Sequence, residues 1–254
     1  MTGGGRANQE QGPGAGLVGL LLFGSGACAL AYQIVWTREF RLIFGGSTSA
    51  TAAVLAIFTL GLGLGAHFLG GRADRSPNPL ALYARLEAGV AFGAALSPFL
   101  LELARTAYLS LGGESVLGGP ASAILRLGLA SVVLALPTVL MGATLPAAVA
   151  AIASDGDGAR RGVAWLYGIN TLGAVAGSVI STFVTLERLG TSGTLFAAVA
   201  LNVTVAAVGV WVSRRLPPRL PMAADGSDGA ATANASPASR PFVLSAAFVT
   251  GFTF

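Results

Sequence analysis

Long apolar runs, each about the length needed to cross a bilayer, constrain this sequence more than any other feature. A transmembrane helix needs ~20 mostly apolar residues. Six windows meet this condition: residues 17–36, 49–69, 79–101, 124–150, 163–186 and 193–212. Only 10% of the residues are charged, against about 25% in a typical soluble domain. The sequence therefore predicts an all-α polytopic membrane bundle with six complete transmembrane helices and the start of a seventh.

The seventh run begins at Pro241 and reaches Phe254 at the end of the sequence. It follows a stretch rich in Ala, Ser, Gly, Pro and Asp, which is typical of flexible linkers. We divide the chain into a disordered tail (1–16), a six-span bundle (17–212), a flexible cytoplasmic linker (213–240) and the start of a truncated seventh span (241–254). The segment 248–254 resembles 23–29, so we expect a second parallel repeat and a C-terminal remainder of the same chain.

The arginines predict the orientation of the bundle, because the sequence contains no lysine. With the N-terminus in the cytoplasm, most of them fall on the cytoplasmic side, as the positive-inside rule requires. Those inside are Arg6, Arg72, Arg75, Arg160, Arg161, Arg214, Arg215, Arg219 and Arg240; those outside are Arg38, Arg41, Arg105 and Arg188. We expect a multi-pass protein of the bacterial inner membrane with the lipid bilayer as its partner. The positive charge reports topology and does not indicate nucleic-acid binding.

Small residues at four-residue intervals predict where the helices pack closely. Gly61 and Gly65 form such a stripe in the second span, and Gly173, Gly177 and Ser181 form one in the fifth. Stripes of this kind let helix backbones approach within a membrane. The glycines around 61–65 are not a nucleotide-binding loop, since no strand precedes them. In the fourth span, Pro137 and Pro146 predict a kink or an early end near Pro146.

Polar side chains within the spans are the candidates for function. Those in the cytoplasmic half are Glu87, Asn170, Thr171, Thr144 and His67. Glu87 lies about eight residues, or ~12 Å, into the third span, where an ionisable group is costly and usually functional. Our hypothesis is that these side chains converge on one inward-facing pocket. Alternatively, Glu87 is protonated or capped by Tyr83, and Asn170 only bonds a neighbouring helix.

A second polar cluster surrounds the outer end of the first span, with the members Tyr32, Gln33, Trp36, Arg38 and Glu39. The aromatic residues suit an interfacial belt, which is the favoured interpretation of Trp36. Gln33 lies on the same helical face one turn below, so we expect it to point toward other spans. The single histidine has no cysteine or carboxylate at ligand spacing, so we predict no metal site, and we expect no cofactor in this part of the protein.

Six motifs in order resemble the membrane portion of bacterial spermidine-synthase-like proteins, a major-facilitator-like region fused to an aminopropyltransferase. They are Tyr32-Gln-Ile-Val-Trp36-Thr-Arg38, Phe44-Gly-Gly-Ser-Thr48, Gly70-Gly-Arg-Ala-Asp74-Arg75, Leu82-Tyr-Ala-Arg-Leu-Glu87, Met141-Gly-Ala-Thr-Leu-Pro146 and Leu166-Tyr-Gly-Ile-Asn170-Thr-Leu-Gly173. The resemblance runs from about residue 17 to 212. The family usually has Glu where this chain has Gln33, which puts a charged role at that position in doubt.

The resemblance implies an aminopropyltransferase domain beyond this sequence, and no catalytic residue can be assigned within it. Three hypotheses follow. The chain is the membrane half of a bifunctional polyamine enzyme, which anchors the synthase and moves its substrate or product. Or it is a stand-alone transporter-like module for a polyamine or another cationic solute. Or it is a membrane scaffold without catalytic function.

Overall fold

A computed structural model describes residues 13–44, 48–152 and 157–216, and every regular element in these ranges is a helix. The elements are α1 (Ala15–Phe44), α2 (Thr48–Asp74), α3 (Pro79–Ser110), α4 (Gly113–Ile152), α5 (Asp157–Ile180), a π-helical segment (Ser181–Thr185) and α6 (Leu186–Ser213). The all-α class predicted from the sequence is confirmed for the described part of the chain. The predicted seventh span and nearly all of the predicted tail and linker lie outside these residues.

Five helical stretches in the described residues are long and apolar enough to cross a membrane: Ala15–Arg41, Thr51–Asp74, Pro79–Ser110, Gly113–Ile152 and Arg161–Ser213. The multi-pass helical character is therefore confirmed, but the count of six spans plus a seventh is not. The difference arises in the last stretch, where two spans were expected. It has 53 residues, which would extend ~80 Å as one straight helix, whereas the hydrocarbon core of a bilayer is about 30 Å thick.

The last stretch is interrupted at Gly190, whose backbone is not helical (φ 67°, ψ −171°). Before this point α5 runs parallel to α1, because Gly173 packs against Phe23 and Gly177 against Ala27. After it, α6 runs antiparallel to α1. Gly24 lies against Val205, and the Cys28 thiol bonds the carbonyl of Ala198. The chain thus reverses direction between α5 and α6, at a residue whose positive φ favours glycine.

The helices pair in a pattern that repeats with opposite direction. The contact of α1 with α5 corresponds to the contact of α4 with α2. The contact of α3 with α4 likewise corresponds to that of α6 with α1, and the remaining contact joins α3 to α6. If α1 is exchanged with α4, α2 with α5 and α3 with α6, the same set of helix pairs is obtained. Since α3 runs antiparallel to both α4 and α6, and α6 antiparallel to α1, each helix opposes its counterpart. The described bundle is therefore an inverted repeat of three plus three helices.

The predicted glycine stripes lie at corresponding contacts of the two halves. A methyl group at Gly65 would overlap the carbonyl of Val139 in α4, and one at Gly177 would overlap the carbonyl of Ala27 in α1. Gly61 likewise meets Thr138, and Gly173 meets Phe23. Ser181 is buried in the π-helical segment. Backbones at these contacts approach closely because the glycines carry no side chain.

α4 continues past the point at which its prolines were expected to end it. Pro137 and Pro146 lie inside the helix, which extends to Ile152. Each proline ring faces a glycine of a neighbouring helix, Pro137 facing Gly93 and Pro146 facing Gly70. Neighbouring helices commonly make proline tolerable within a membrane. Of the two predicted alternatives, a kink or an early end near Pro146, the early end is therefore wrong.

α3 begins with a capped first turn that also fixes its position. The Asn78 side-chain oxygen accepts a hydrogen bond from the Ala81 amide at 3.0 Å, and Pro79 occupies the first turn, where an N–H is not needed. The Asn78 amide donates to the carbonyl of Ser213 at 3.0 Å. The start of α3 is thus held beside the end of α6, which sets the depth of the residues that follow.

The two neighbouring glycines Gly65 and Gly63 provide a matched test of the packing. Gly65→Ala should destabilise the bundle by about 1–3 kcal/mol, because the added methyl meets the backbone of α4. Gly63 has open space around it, so Gly63→Ala should be neutral or stabilising by up to about 1 kcal/mol. The measurement is the unfolding midpoint of each purified variant in detergent. Equal midpoints for the two variants would contradict the packing described.

Candidate functional site

Glu87 of α3 is the most deeply buried ionisable carboxyl in the described bundle, with 1% of its surface exposed. It lies where α3 faces α6 and α1. Its Oε2 accepts a hydrogen bond from the side-chain amide of Asn202 in α6, at 2.5 Å. A polar side chain in this position needs a partner within the protein, since lipid provides none. The Asn202 amide supplies it.

Asn202 also connects the carboxyl to α1. Its side-chain oxygen accepts a hydrogen bond from the hydroxyl of Tyr32 at 3.3 Å, and both residues are fully buried. Asn202 therefore joins three helices through one side chain. The sequence contains a signal for it, because an asparagine inside an apolar span is costly without a partner. Asn202 was not among the residues predicted for function.

Two further hydroxyl groups lie beside the carboxyl, those of Ser25 in α1 and Tyr83 in α3. Two buried oxygen atoms in this group, Glu87 Oε1 and Tyr83 Oη, have no hydrogen-bond partner in the described structure. We refer to Ser25, Tyr32, Tyr83, Glu87 and Asn202 together as the carboxyl cluster. It can hold a proton or a small cation, because its members offer oxygen atoms around a single acidic group.

The other residues predicted for a common pocket do not join the carboxyl cluster. His67 and Thr171 are exposed on the outer surface of the bundle. Thr144 is buried, but its hydroxyl donates to the carbonyl of Met141 in its own helix at 2.8 Å. Asn170 is half-buried and lies against Gly26 of α1. The predicted convergence is therefore wrong, because depth in the membrane fixes a residue's height but not the direction it faces around its helix.

Trp36 is not the interfacial belt residue that was expected. It is fully buried, and its indole Nε1 donates to the hydroxyl of Ser97 in α3 at 2.9 Å. Its ring stacks on Tyr32 with 5.5 Å between centroids. The outer cluster is thus joined to the carboxyl cluster through Trp36, Tyr32 and Asn202.

A cavity of about 300 Å³ lies beyond Trp36, toward the end of α3 at Ser110. Residues of α1, α3 and α6 surround it. Those that carry polar groups are Trp36, Glu39, Ser97, Glu102, Arg105, Thr191 and Ser192. Arg105 forms an exposed ion pair with Glu102 at 3.4 Å. Glu39 is the second carboxyl that lines the cavity. The Trp36 ring forms part of the cavity wall, and Glu87 is not among the lining residues.

Gln33 faces a different space from the one at Trp36. It is half-buried and lines a wider groove of about 720 Å³ together with Arg38 and Arg41. Ser178 of α5 lies on the far side of this groove. Gln33 therefore points toward another span, but it does not reach the carboxyl cluster by any hydrogen bond described here. In the described residues no three histidine, cysteine or acidic side chains are placed to bind a metal ion together.

Asn202→Ala should destabilise the bundle by about 1–3 kcal/mol, because it leaves Glu87 Oε2 and the Tyr32 hydroxyl buried without partners. Thr204→Ala is the matched control. Thr204 is exposed on the same helix and bonds only the carbonyl of Ala200, so its loss should cost less than about 0.5 kcal/mol. Both variants are compared by thermal unfolding in the same detergent. If Thr204→Ala destabilises the bundle as much as Asn202→Ala does, the bridging role of Asn202 is refuted.

No known family model matches the chain, and no significant match is found among curated proteins or solved structures. The resemblance to spermidine-synthase-like proteins accordingly rests on the six sequence motifs alone. What the bundle does must be inferred from its helices and from the carboxyl cluster.

Proposed function

We propose that the chain is a transporter-like membrane module that binds a cationic solute at Glu87. One observation carries this proposal: the Glu87–Asn202 hydrogen bond joins α3 to α6, its counterpart in the inverted repeat. In transporters built from inverted repeats, substrate and ion sites lie near mid-membrane where the two repeats meet. A buried acidic group at that place favours a positively charged ligand.

In this proposal the bundle crosses the membrane six times. The stretch Arg161–Ser213 supplies two passes, α5 with the π-helical segment and then α6, with the turn at Gly190. The N-terminus is cytoplasmic and the membrane is the bacterial inner membrane, as the distribution of arginines predicts. Three passes in each half then give the alternating directions that an inverted repeat requires.

The cationic solute is a polyamine if the resemblance to spermidine-synthase-like proteins holds. The module would then anchor an aminopropyltransferase and carry the substrate or product of that enzyme. The carboxyl cluster suits an ammonium group, since it offers one acid and several neutral oxygen atoms. A scaffold without transport function would not need an acidic group buried between the two halves.

Cysteine labelling tests the six passes, because the one native cysteine, Cys28, is buried. In a Cys28→Ser background, single cysteines are placed at Ser76, Ser110 and Ser192. Ser76 follows α2, Ser110 ends α3, and Ser192 follows the break at Gly190. With six passes, an impermeant maleimide should label positions 110 and 192 from one side of the membrane and position 76 from the other. Failure to label position 192 from the side that labels 110 would rule out the turn.

Transport itself is tested with labelled putrescine and vesicles that contain the intact protein. Glu87→Gln should reduce uptake by about tenfold or more, because a charge-assisted contact contributes about 1.5–3 kcal/mol. Glu102→Gln is the matched control, since Glu102 lies on the same helix with its side chain exposed. Uptake that is equal in the two variants, or absent from the unmodified protein, would count against the proposal.

A further inference from the structure

The side chains that face Glu87 in the described structure come from three helices and carry no positive charge. They are Ser25, Cys28 and Tyr32 of α1, Tyr83 of α3 and Asn202 of α6. Each can donate or accept a hydrogen bond, but none can neutralise a carboxylate. The ion pairs in the described residues involve Glu102 and Glu114, which lie toward the other end of the bundle.

An ionised carboxylate in such surroundings is unfavourable, even after the protein relaxes around it. Hydrogen bonds from neutral groups offset only part of this cost. Buried acids without a cationic partner therefore take up a proton and become neutral. The surroundings of Glu87 accordingly favour its protonated form.

The hydrogen bonds indicate which oxygen carries the proton. Glu87 Oε2 accepts from the Asn202 amide, so the proton belongs on Oε1. Oε1 is the oxygen that completes no hydrogen bond, and the neighbouring Tyr83 Oη also lacks one. Tyr83 Oη and Oε1 are not within hydrogen-bond geometry of each other. A proton on Oε1 leaves the contact between Oε2 and Asn202 intact.

We infer that Glu87 holds an exchangeable proton, and that a cationic solute and this proton bind the carboxyl in turn. The inference rests on the proposed transport function. When the solute binds, the O–H bond at Oε1 breaks, the proton passes to water, and the solute's positive charge takes its place. The charge of the site is zero before and after, so one proton is exchanged for each positive charge that the carboxyl binds.

The aromatic pair Tyr32 and Trp36 separates the carboxyl from the cavity in the described state. The Trp36 indole is held by Ser97 and stacks on Tyr32, whose hydroxyl reaches Asn202. Water in the cavity therefore meets the Trp36 ring before it meets Glu87. A solute that enters from this cavity therefore has to pass the aromatic pair to reach the carboxyl.

The test is infrared difference spectroscopy of the intact protein in lipid bilayers during a pH titration, which requires no solute. The unmodified protein should show a C=O band of a protonated carboxyl near neutral pH that disappears as the pH rises. The band should be absent from Glu87→Gln and retained in Glu102→Gln, whose carboxyl lies at the surface. Thermal unfolding of each variant checks that it is folded, and Glu87→Asp, which keeps an acid, should restore a titrating band.

Two results would overturn the inference. The first is an unmodified protein without the band at neutral pH, because Glu87 would then be ionised. The second is a band that survives Glu87→Gln. A band removed at constant pH when sodium replaces choline in the buffer would support the inference, because a cation would then displace the proton. A titrating band in a protein that does not take up putrescine would leave the proton site standing and reject the proposed transport.

Discussion

A carboxyl group enclosed by helices in a bilayer has to find its hydrogen-bond partners within the protein, and this constraint organises the bundle. Glu87 meets it through Asn202, which in turn accepts from Tyr32. These two contacts tie α3, α6 and α1 at one depth. Apolar side chains contribute little to this choice of neighbours, because lipid tails are as apolar as they are. Polar contacts and close backbone packing therefore decide which helices meet.

Close packing through glycine has the same form at two corresponding helix contacts of the bundle. Gly65 lets α2 lie against α4, and Gly177 lets α5 lie against α1. The α3–α6 contact, which carries the carboxyl, relates one half to the other. Both glycine contacts, like the α3–α6 contact, therefore join the first three helices to the last three. A proton or a cation at the contact between them is placed where it can favour one arrangement over another.

The sequence predicted the helical membrane class, the glycine stripes and Glu87 as the principal polar residue, because apolar length, residue size and the cost of a buried charge can be read without a fold. It did not predict which way His67 and Thr171 face. In a soluble helix a polar side marks the surface, but in a membrane both the lipid side and the core side are apolar. The depth of a residue in the membrane could therefore be counted along the chain, but the direction that its side chain faces around the helix axis could not be predicted.

Contacts between residues far apart in the chain explain why the roles of Trp36 and Asn202 were not predicted. Trp36 was placed at the membrane interface because its indole is amphipathic, and only the position of Ser97 on α3 shows that the N–H is satisfied inside. Asn202 was not predicted, because its partner lies 115 residues away in the chain. The number of spans depended on Gly190, where a single non-helical residue divides a continuous helical run.

The central claim, that Glu87 and Asn202 act as one buried pair, is tested most directly by a double-mutant cycle. Glu87→Ala, Asn202→Ala and the double variant are unfolded under the same conditions, and their free energies are compared. If the pair exists, the double variant should be more stable than the sum of the single effects predicts, with a coupling energy of about 1–3 kcal/mol. Effects that add within about 0.5 kcal/mol would show that the two side chains do not interact.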